Sequence, residues 1–165
     1  MCDMKKIIIL SDTHKNLELL RAVSPRFDEC DYVVHLGDYV SDMTEYKEKL
    51  GGKLHMVRGN GDFTLAVPDE KVLEIDGVKL FLTHGHRYNV KATRVNVGFE
   101  AYGKSCSAAL FGHTHRAEIT EFEGIKLINP GSFHRSPSGV FSYCYMLIYG
   151  GKCYPRIVEL NGGAK

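Results

Sequence analysis

Five short apolar runs in this 165-residue chain each end in a cluster of polar residues, and that pattern constrains the fold more than any other feature. Ile7–Leu10 runs into Ser11-Asp12-Thr13-His14, and Tyr32–Leu36 into Gly37-Asp38. Leu54–Val57 runs into Arg58-Gly59-Asn60-Gly61-Asp62. Lys79–Leu82 runs into Thr83-His84-Gly85-His86, and Ala108–Phe111 into Gly112-His113-Thr114-His115. In open α/β sheets, ligands bind outside the carboxyl ends of the strands. If these runs are neighbouring strands, all five clusters meet at one edge of the sheet.

The rhythm between the runs differs in the two halves. Lys6–Leu10, Asp31–Leu36 and Lys53–Val57 read as strands. Between them lie a helix from Asn16 to about Asp28, with Leu17, Leu20, Val23 and Phe27 on one face, and a short helix Asp42–Leu50 capped by Asp42. That order argues for parallel strands. The second half reads mainly as hairpins: Lys71–Ile75 with Val78–Thr83, Ala117–Phe122 with Ile125–Ile128, and Phe141–Tyr149 with Lys152–Leu160. One helix, Ala92 to Gly103, and the strand Ala108–Phe111 lie among them. Residues 1–165 read as a single α/β domain with parallel strands and antiparallel additions.

A net charge of +1 without a basic block recommends neither nucleic acid nor an anionic membrane as a bulk partner. Ile7–Leu10 is too short for a membrane span or a signal-peptide core, so the expected location is cytoplasmic. Five cysteines without a Cys-x-x-Cys spacing read as free thiols. The hairpin-rich second half offers surface for a homo-oligomer.

Taken singly, each cluster has a structural explanation. Asp12 and Asp38 could cap helices, Asn60 could simply turn the chain, and His84 or His113 could be hydrogen-bonded core histidines. Repetition at five successive strand ends favours a shared site. Its donors are oxygen and imidazole without thiolate, which suits Mn, Fe, Co, Ni or Zn. Seven such groups exceed the needs of one four-coordinate ion and suit two ions sharing a carboxylate. His35 and His55 lie within strand runs and read as structural, and His134 lies in a loop that the sequence does not place.

Together these residues resemble the calcineurin-like metallophosphoesterase family, whose pattern runs D-x-H, G-D, G-N-H-D/E, H and G-H-x-H. The corresponding pieces are Asp12-Thr13-His14, Gly37-Asp38, Gly59-Asn60-Gly61-Asp62, His84 and Gly112-His113-Thr114-His115, followed by Asn129-Pro130-Gly131-Ser132. The short chain and the Thr83-His84-Gly85-His86 form are similar to the compact YfcE-like phosphodiesterases. The resemblance implies a four-layer α-β-β-α sandwich of two mixed β-sheets flanked by helices. It implies one metal on Asp12, His14, Asp38 and His115, and a second on Asp38, Asn60, His84 and His113. Two divalent transition-metal ions are thus expected, manganese first, with Ni, Fe, Co and Zn as alternatives. A bridging hydroxide would attack the phosphorus of a small phosphodiester substrate.

Position 61 departs from that pattern. Where the wider family has a histidine that assists the leaving group, this chain has Gly61, which leaves Asp62 without its usual partner. General acid help is typically worth ~10²–10⁴-fold, so aryl leaving groups should suffer least. His86, two residues beyond His84, is the candidate substitute. Arg58, Arg87 and Arg116 flank the clusters and remain unassigned. The rivals are a non-catalytic metal-binding scaffold of the same fold and a phosphomonoesterase.

Overall fold

The computed structural model describes residues 3–160. Ten strands form two five-stranded sheets. The first contains β1 (Lys5–Leu10), β2 (Tyr32–His35), β3 (Leu54–Met56), β9 (Phe141–Tyr149) and β10 (Lys152–Leu160), in the order β10-β9-β1-β2-β3. The second contains β4 (Glu70–Ile75), β5 (Val78–Thr83), β6 (Ala108–Leu110), β7 (Glu118–Phe122) and β8 (Ile125–Asn129), in the order β4-β5-β6-β8-β7. β1, β2 and β3 pair in parallel, as do β5, β6 and β8. The outer strands β9, β10, β4 and β7 are antiparallel additions, so both sheets are mixed.

The side-chain period of two explains the layers. Ile7 and Ile9 of β1 face one way and meet Leu80, Leu82 and Leu110 of the second sheet in the central core. Ile8 and Leu10 face the other way, onto Leu20, Val23 and Phe27. On the far side of the second sheet, Phe81, Ala109 and Leu127 pack on Val97 and Ala101 of the helix α3 (Val95–Gly103). The result is helix, sheet, sheet, helix. Strands buried on both faces need apolar residues throughout, which accounts for the unbroken Ile7–Leu10 run.

The strand ends that carry the polar clusters therefore belong to two sheets rather than one. β1, β2 and β3 contribute from the first, and β5 and β6 from the second. Face-to-face packing is what unites them.

Two helical readings need correction. The helix expected over residues 16–28 is regular only in α1 (Leu17–Val23), where the Asn16 side chain accepts from the Leu19 N–H at 3.3 Å. At Ser24 the chain tightens into a 3-10 turn, Ser24–Glu29. Pro25 has no N–H for the Arg21 carbonyl, and the Ser24 hydroxyl donates to that carbonyl at 3.0 Å instead. The helix expected over Asp42–Leu50 is a 3-10 turn, Val40–Tyr46, leading into the single turn α2 (Lys47–Leu50). Asp42 does not cap it. Its carboxylate accepts from Thr13 Oγ1 at 2.6 Å and from the Lys15 N–H at 2.9 Å, tying this turn to the loop after β1.

Cys30, Cys106, Cys144 and Cys153 are free and buried; Cys2 lies outside the described residues. Among the described residues, no helix is long and apolar enough to cross a membrane.

Candidate metal centre

The loops that follow β1, β2 and β6 turn sharply enough to aim several polar side chains at one point. Asp12, His14, Asp38, His113 and His115 all have positive φ, between 44° and 68°. Left-handed backbone is uncommon outside glycine, and its concentration at these positions marks a site where geometry outweighs local preference. Glycine packing completes the arrangement. A Cβ on Gly59 would lie 2.2 Å from Asp38 Oδ1, and one on Gly112 would lie 1.9 Å from Ser11 Oγ.

At the centre lies Asp12 Oδ1, buried and without a hydrogen-bond donor. It faces Nε2 of His115 at 3.1 Å, of His14 at 3.7 Å and of His84 at 3.9 Å. Asp38 spans the same space, with Oδ2 at 3.6 Å from His14 Nε2 and Oδ1 at 3.5 Å from His84 Nε2. Two groups of converging ligand atoms result: Asp12, His14 and His115, and Asp12, Asp38 and His84.

The remaining hydrogen bonds fix which atoms point inward. His84 Nδ1 donates to the Leu36 carbonyl at 2.8 Å, and His115 Nδ1 to the His134 carbonyl at 2.7 Å. Each ring thereby presents an Nε2 lone pair to the carboxylates, the arrangement in which a metal-binding histidine is held by its other nitrogen. Nε2 of both His14 and His84 is buried without a partner. Leaving such atoms unpaired is costly, and a divalent cation among them would satisfy all of them together. Burial alone would raise the Asp12 carboxyl, but the His115 and His14 imidazoles outweigh it and hold the group well below the usual carboxylate range. The neighbouring Asp12 carboxylate in turn raises His115. The site demands positive charge.

His113 sits beside this cluster, its ring centroid 5.1 Å from that of His84 and its N–H donating to Asp12 Oδ2 at 3.0 Å. Burial, then the neighbouring His84, lowers it to about 4, leaving a neutral imidazole. Asn60 is exposed, between Gly59, packed on Asp38, and Gly61, whose N–H donates to Asp38 Oδ1 at 2.8 Å. His86 opens the short 3-10 turn His86–Tyr88 after β5, its ring 5.5 Å from His84 and 6.1 Å from His113. Burial, then His84, holds its imidazole below the ordinary histidine value.

Asp62 is not left without a partner. Its carboxylate accepts from the N–H groups of Asp38 at 2.8 Å, Gly59 at 2.8 Å and Val40 at 3.0 Å, locking the loops after β2 and β3 together. Two of the flanking arginines are also committed elsewhere. Arg58 forms a bidentate pair with Asp69 at 2.7 and 3.1 Å, and Arg87 reaches the same carboxylate at 3.1 Å. Arg116 is exposed.

Behind the site, His35 Nδ1 accepts from the Gly37 N–H at 3.1 Å, so the proton resides on Nε2, facing Thr13 Oγ1 at 3.1 Å. His55 lies away from the cluster, with Lys71 Nζ 2.9 Å from its Nδ1. His134 is the residue that spacing did not place. Its ring stacks on His14, with centroids 4.8 Å apart, while its carbonyl orients His115. No spacing rule connects it to either histidine; the loop after Ser132 brings it there.

The sequence matches the family model described as "Calcineurin-like phosphoesterase superfamily domain" over residues 4–149. The chain belongs to this family. The Bacillus subtilis protein named "Probable metallophosphoesterase YsnB" is 34% identical over 127 residues, spanning 76% of this chain and 73% of its own. An archaeal phosphodiesterase of known structure superposes with a TM-score of 0.72 at 27% identity, covering 94% of this chain and 99% of its own. Vps29 of Entamoeba histolytica, solved in complex with Zn²⁺, superposes with a TM-score of 0.70 at 20% identity over 94% and 99% of the two chains. This last likeness concerns the fold alone. A metallophosphoesterase domain with candidate divalent-metal ligands at the carboxyl ends of its parallel strands is what sequence and geometry jointly establish.

Proposed function

We propose that the chain is a two-metal phosphodiesterase acting on small phosphodiesters. The observation that carries this reading is the convergence of Asp12, Asp38, His14, His84 and His115 on one space where buried lone pairs lack donors. Relatedness to a phosphodiesterase at 27% identity supports the reaction class. Two bound divalent transition-metal ions would polarise a phosphoryl oxygen and bring the pKa of a water near neutrality.

The chain's own contribution is charge and orientation. Asp12 and Asp38 supply the negative charge, and each faces histidines of both groups. On this reading Asn60 and His113 would add neutral donors on the His84 side, leaving that side less compensated and better suited to an anionic phosphoryl oxygen. Manganese is the first choice of metal, with Ni, Fe, Co and Zn as alternatives that the oxygen and imidazole donors suit as well. The scaffold alternative draws on the Vps29 likeness, which carries only the fold.

Gly61 cannot protonate a leaving oxygen, so alkyl alkoxides depend on His86 or on water. Aryl diesters are expected to turn over at least ~100-fold faster than matched alkyl diesters. His86→Ala should reduce the alkyl rate more than the aryl rate in the metal-loaded protein. An equal loss on both would remove His86 from the acid role.

A further inference from the structure

Phe63 is 98% exposed and Leu65 90%, yet the loop that carries them is firmly anchored. Asp62 is held by three backbone N–H groups, the Thr64 carbonyl accepts from Arg58 Nη1 at 3.0 Å, and the Pro68 carbonyl accepts from the Arg58 N–H at 2.8 Å. The phenyl ring is thus displayed by a fixed backbone. It borders a cleft of about 290 Å³ whose lining also includes Tyr39, Lys15, Ser41 and Gly61.

This cleft shares a wall with the metal centre. Tyr39 follows Asp38, is held in a left-handed conformation (φ 66°), and places its ring 4.8 Å from that of His14. The Gly61 N–H donates to Asp38 Oδ1. A Cβ at Gly61, which lines the cleft, would stand 3.1 Å from that oxygen. Lys15 Nζ lies 5.6 Å from the Tyr39 ring, at the same cleft.

We infer that the cleft is the leaving-group subsite, and that it takes a planar aromatic arm of the phosphodiester beside Phe63 and Tyr39 with the phosphoryl group toward Asp38. This deepens, and rests on, the phosphodiesterase reading. Size agrees, because a cavity of about 150 Å³ already accepts a benzene ring. The chemistry agrees as well: two aromatic rings favour a flat, polarisable partner, and Lys15 adds a point charge suited to a phosphate. The missing side chain at position 61 then has a structural counterpart. Gly61 lines the cleft and stands against Asp38 without a side chain, and an aromatic alcohol leaves without needing a proton from that position.

The methyl monoesters of benzylphosphonate and ethylphosphonate test this, since each is a diester analogue in which an uncleavable CH₂ replaces the bridging oxygen of the tested arm. Calorimetric titration is made on the metal-loaded wild type, on Phe63→Ala, and on Phe99→Ala as an exposed aromatic control on α3. Wild type and Phe99→Ala should prefer the benzyl compound by about fivefold, a preference of the size expected for aromatic contacts. Phe63→Ala should lose most of that preference while keeping its affinity for the ethyl compound. A benzyl preference in Phe63→Ala within about twofold of wild type, or an equal loss in Phe99→Ala, overturns the inference. The binding readout is independent of turnover. Absence of diester hydrolysis with the Phe63-dependent preference intact would count against the reaction, not against the cleft.

Discussion

Asp12→Asn is expected to lower divalent-metal affinity by at least ~100-fold, since even the groups that merely orient metal ligands typically cost 10–100-fold when lost. The orientation of the new amide follows from the hydrogen bonds. Asp12 Oδ2 accepts from Ser11 Oγ at 2.6 Å and from the His113 N–H at 3.0 Å, so the amide oxygen must occupy that side. The NH₂ group is then forced into the Oδ1 position, among Nε2 atoms of His14, His84 and His115. A donor replaces the acceptor and the negative charge that both ligand groups share. Thermal unfolding provides the readout. At a free metal concentration 100 times Kd, binding stabilises the native state by about 2.7 kcal/mol, and a hundredfold weaker site retains only about 0.4 kcal/mol of that at the same concentration. The metal-induced rise in Tm should therefore nearly vanish. An undiminished rise in the variant would mean that Asp12 is not a ligand.

The second large effect is acid destabilisation through His35, measured with a chelator present so that metal release does not contribute. Burial lowers this imidazole to about 4, against 6.5 in the unfolded chain, and the hydrogen bonds explain why it resists a proton. Nδ1 already receives the Gly37 N–H, so protonation would set two donors against each other. Between pH 6.5 and about 4 the unfolded chain binds a proton that the folded one refuses, so stability falls as pH falls through that window. The full contribution, on the order of 3 kcal/mol, is present above pH 6.5 and has been lost by about pH 4. Denaturant titrations of wild type and His35→Gln across the window check this. The variant should be less stable at pH 7 and show a shallower pH dependence. An unchanged slope would assign the acid sensitivity to other groups.

The strands were legible because their signals are local. Phe141–Tyr149 and Lys152–Leu160 have the boundaries that the Gly150-Gly151 turn suggests, and Asp76-Gly77 turns β4 into β5 with positive φ at both residues. The polar clusters were legible as strand ends for the same reason. The family resemblance implied two mixed sheets, and the structure has them; which run joins which sheet was not legible, because an apolar run does not state it. The helix limits failed where one residue overrode the pattern: Pro25 removes a backbone donor, and Asp42 serves the loop after β1 rather than its own turn. In the site, the bracing of three N–H groups by Asp62 and the stacking of His134 on His14 arise through space between residues 22 to 120 positions apart in sequence, except for the short reach from Asp62 to Gly59. Hydrophobic periodicity carries no trace of them.

Metal held by the carboxylates of this cluster is the centre expected to hydrolyse a diester. The decisive measurement is metal content, together with hydrolysis of bis(p-nitrophenyl) phosphate and p-nitrophenyl phosphate, for Mn-reconstituted wild type and Asp38→Asn. Two ions per chain are expected in the wild type, as the two-metal mechanism requires, with the diester cleaved in preference to the monoester, as the phosphodiesterase reading requires. Asp38→Asn should lose bound metal and at least ~100-fold in diester hydrolysis. A wild-type protein that binds no metal, or an Asp38→Asn variant that hydrolyses the diester at the wild-type rate, would contradict the account.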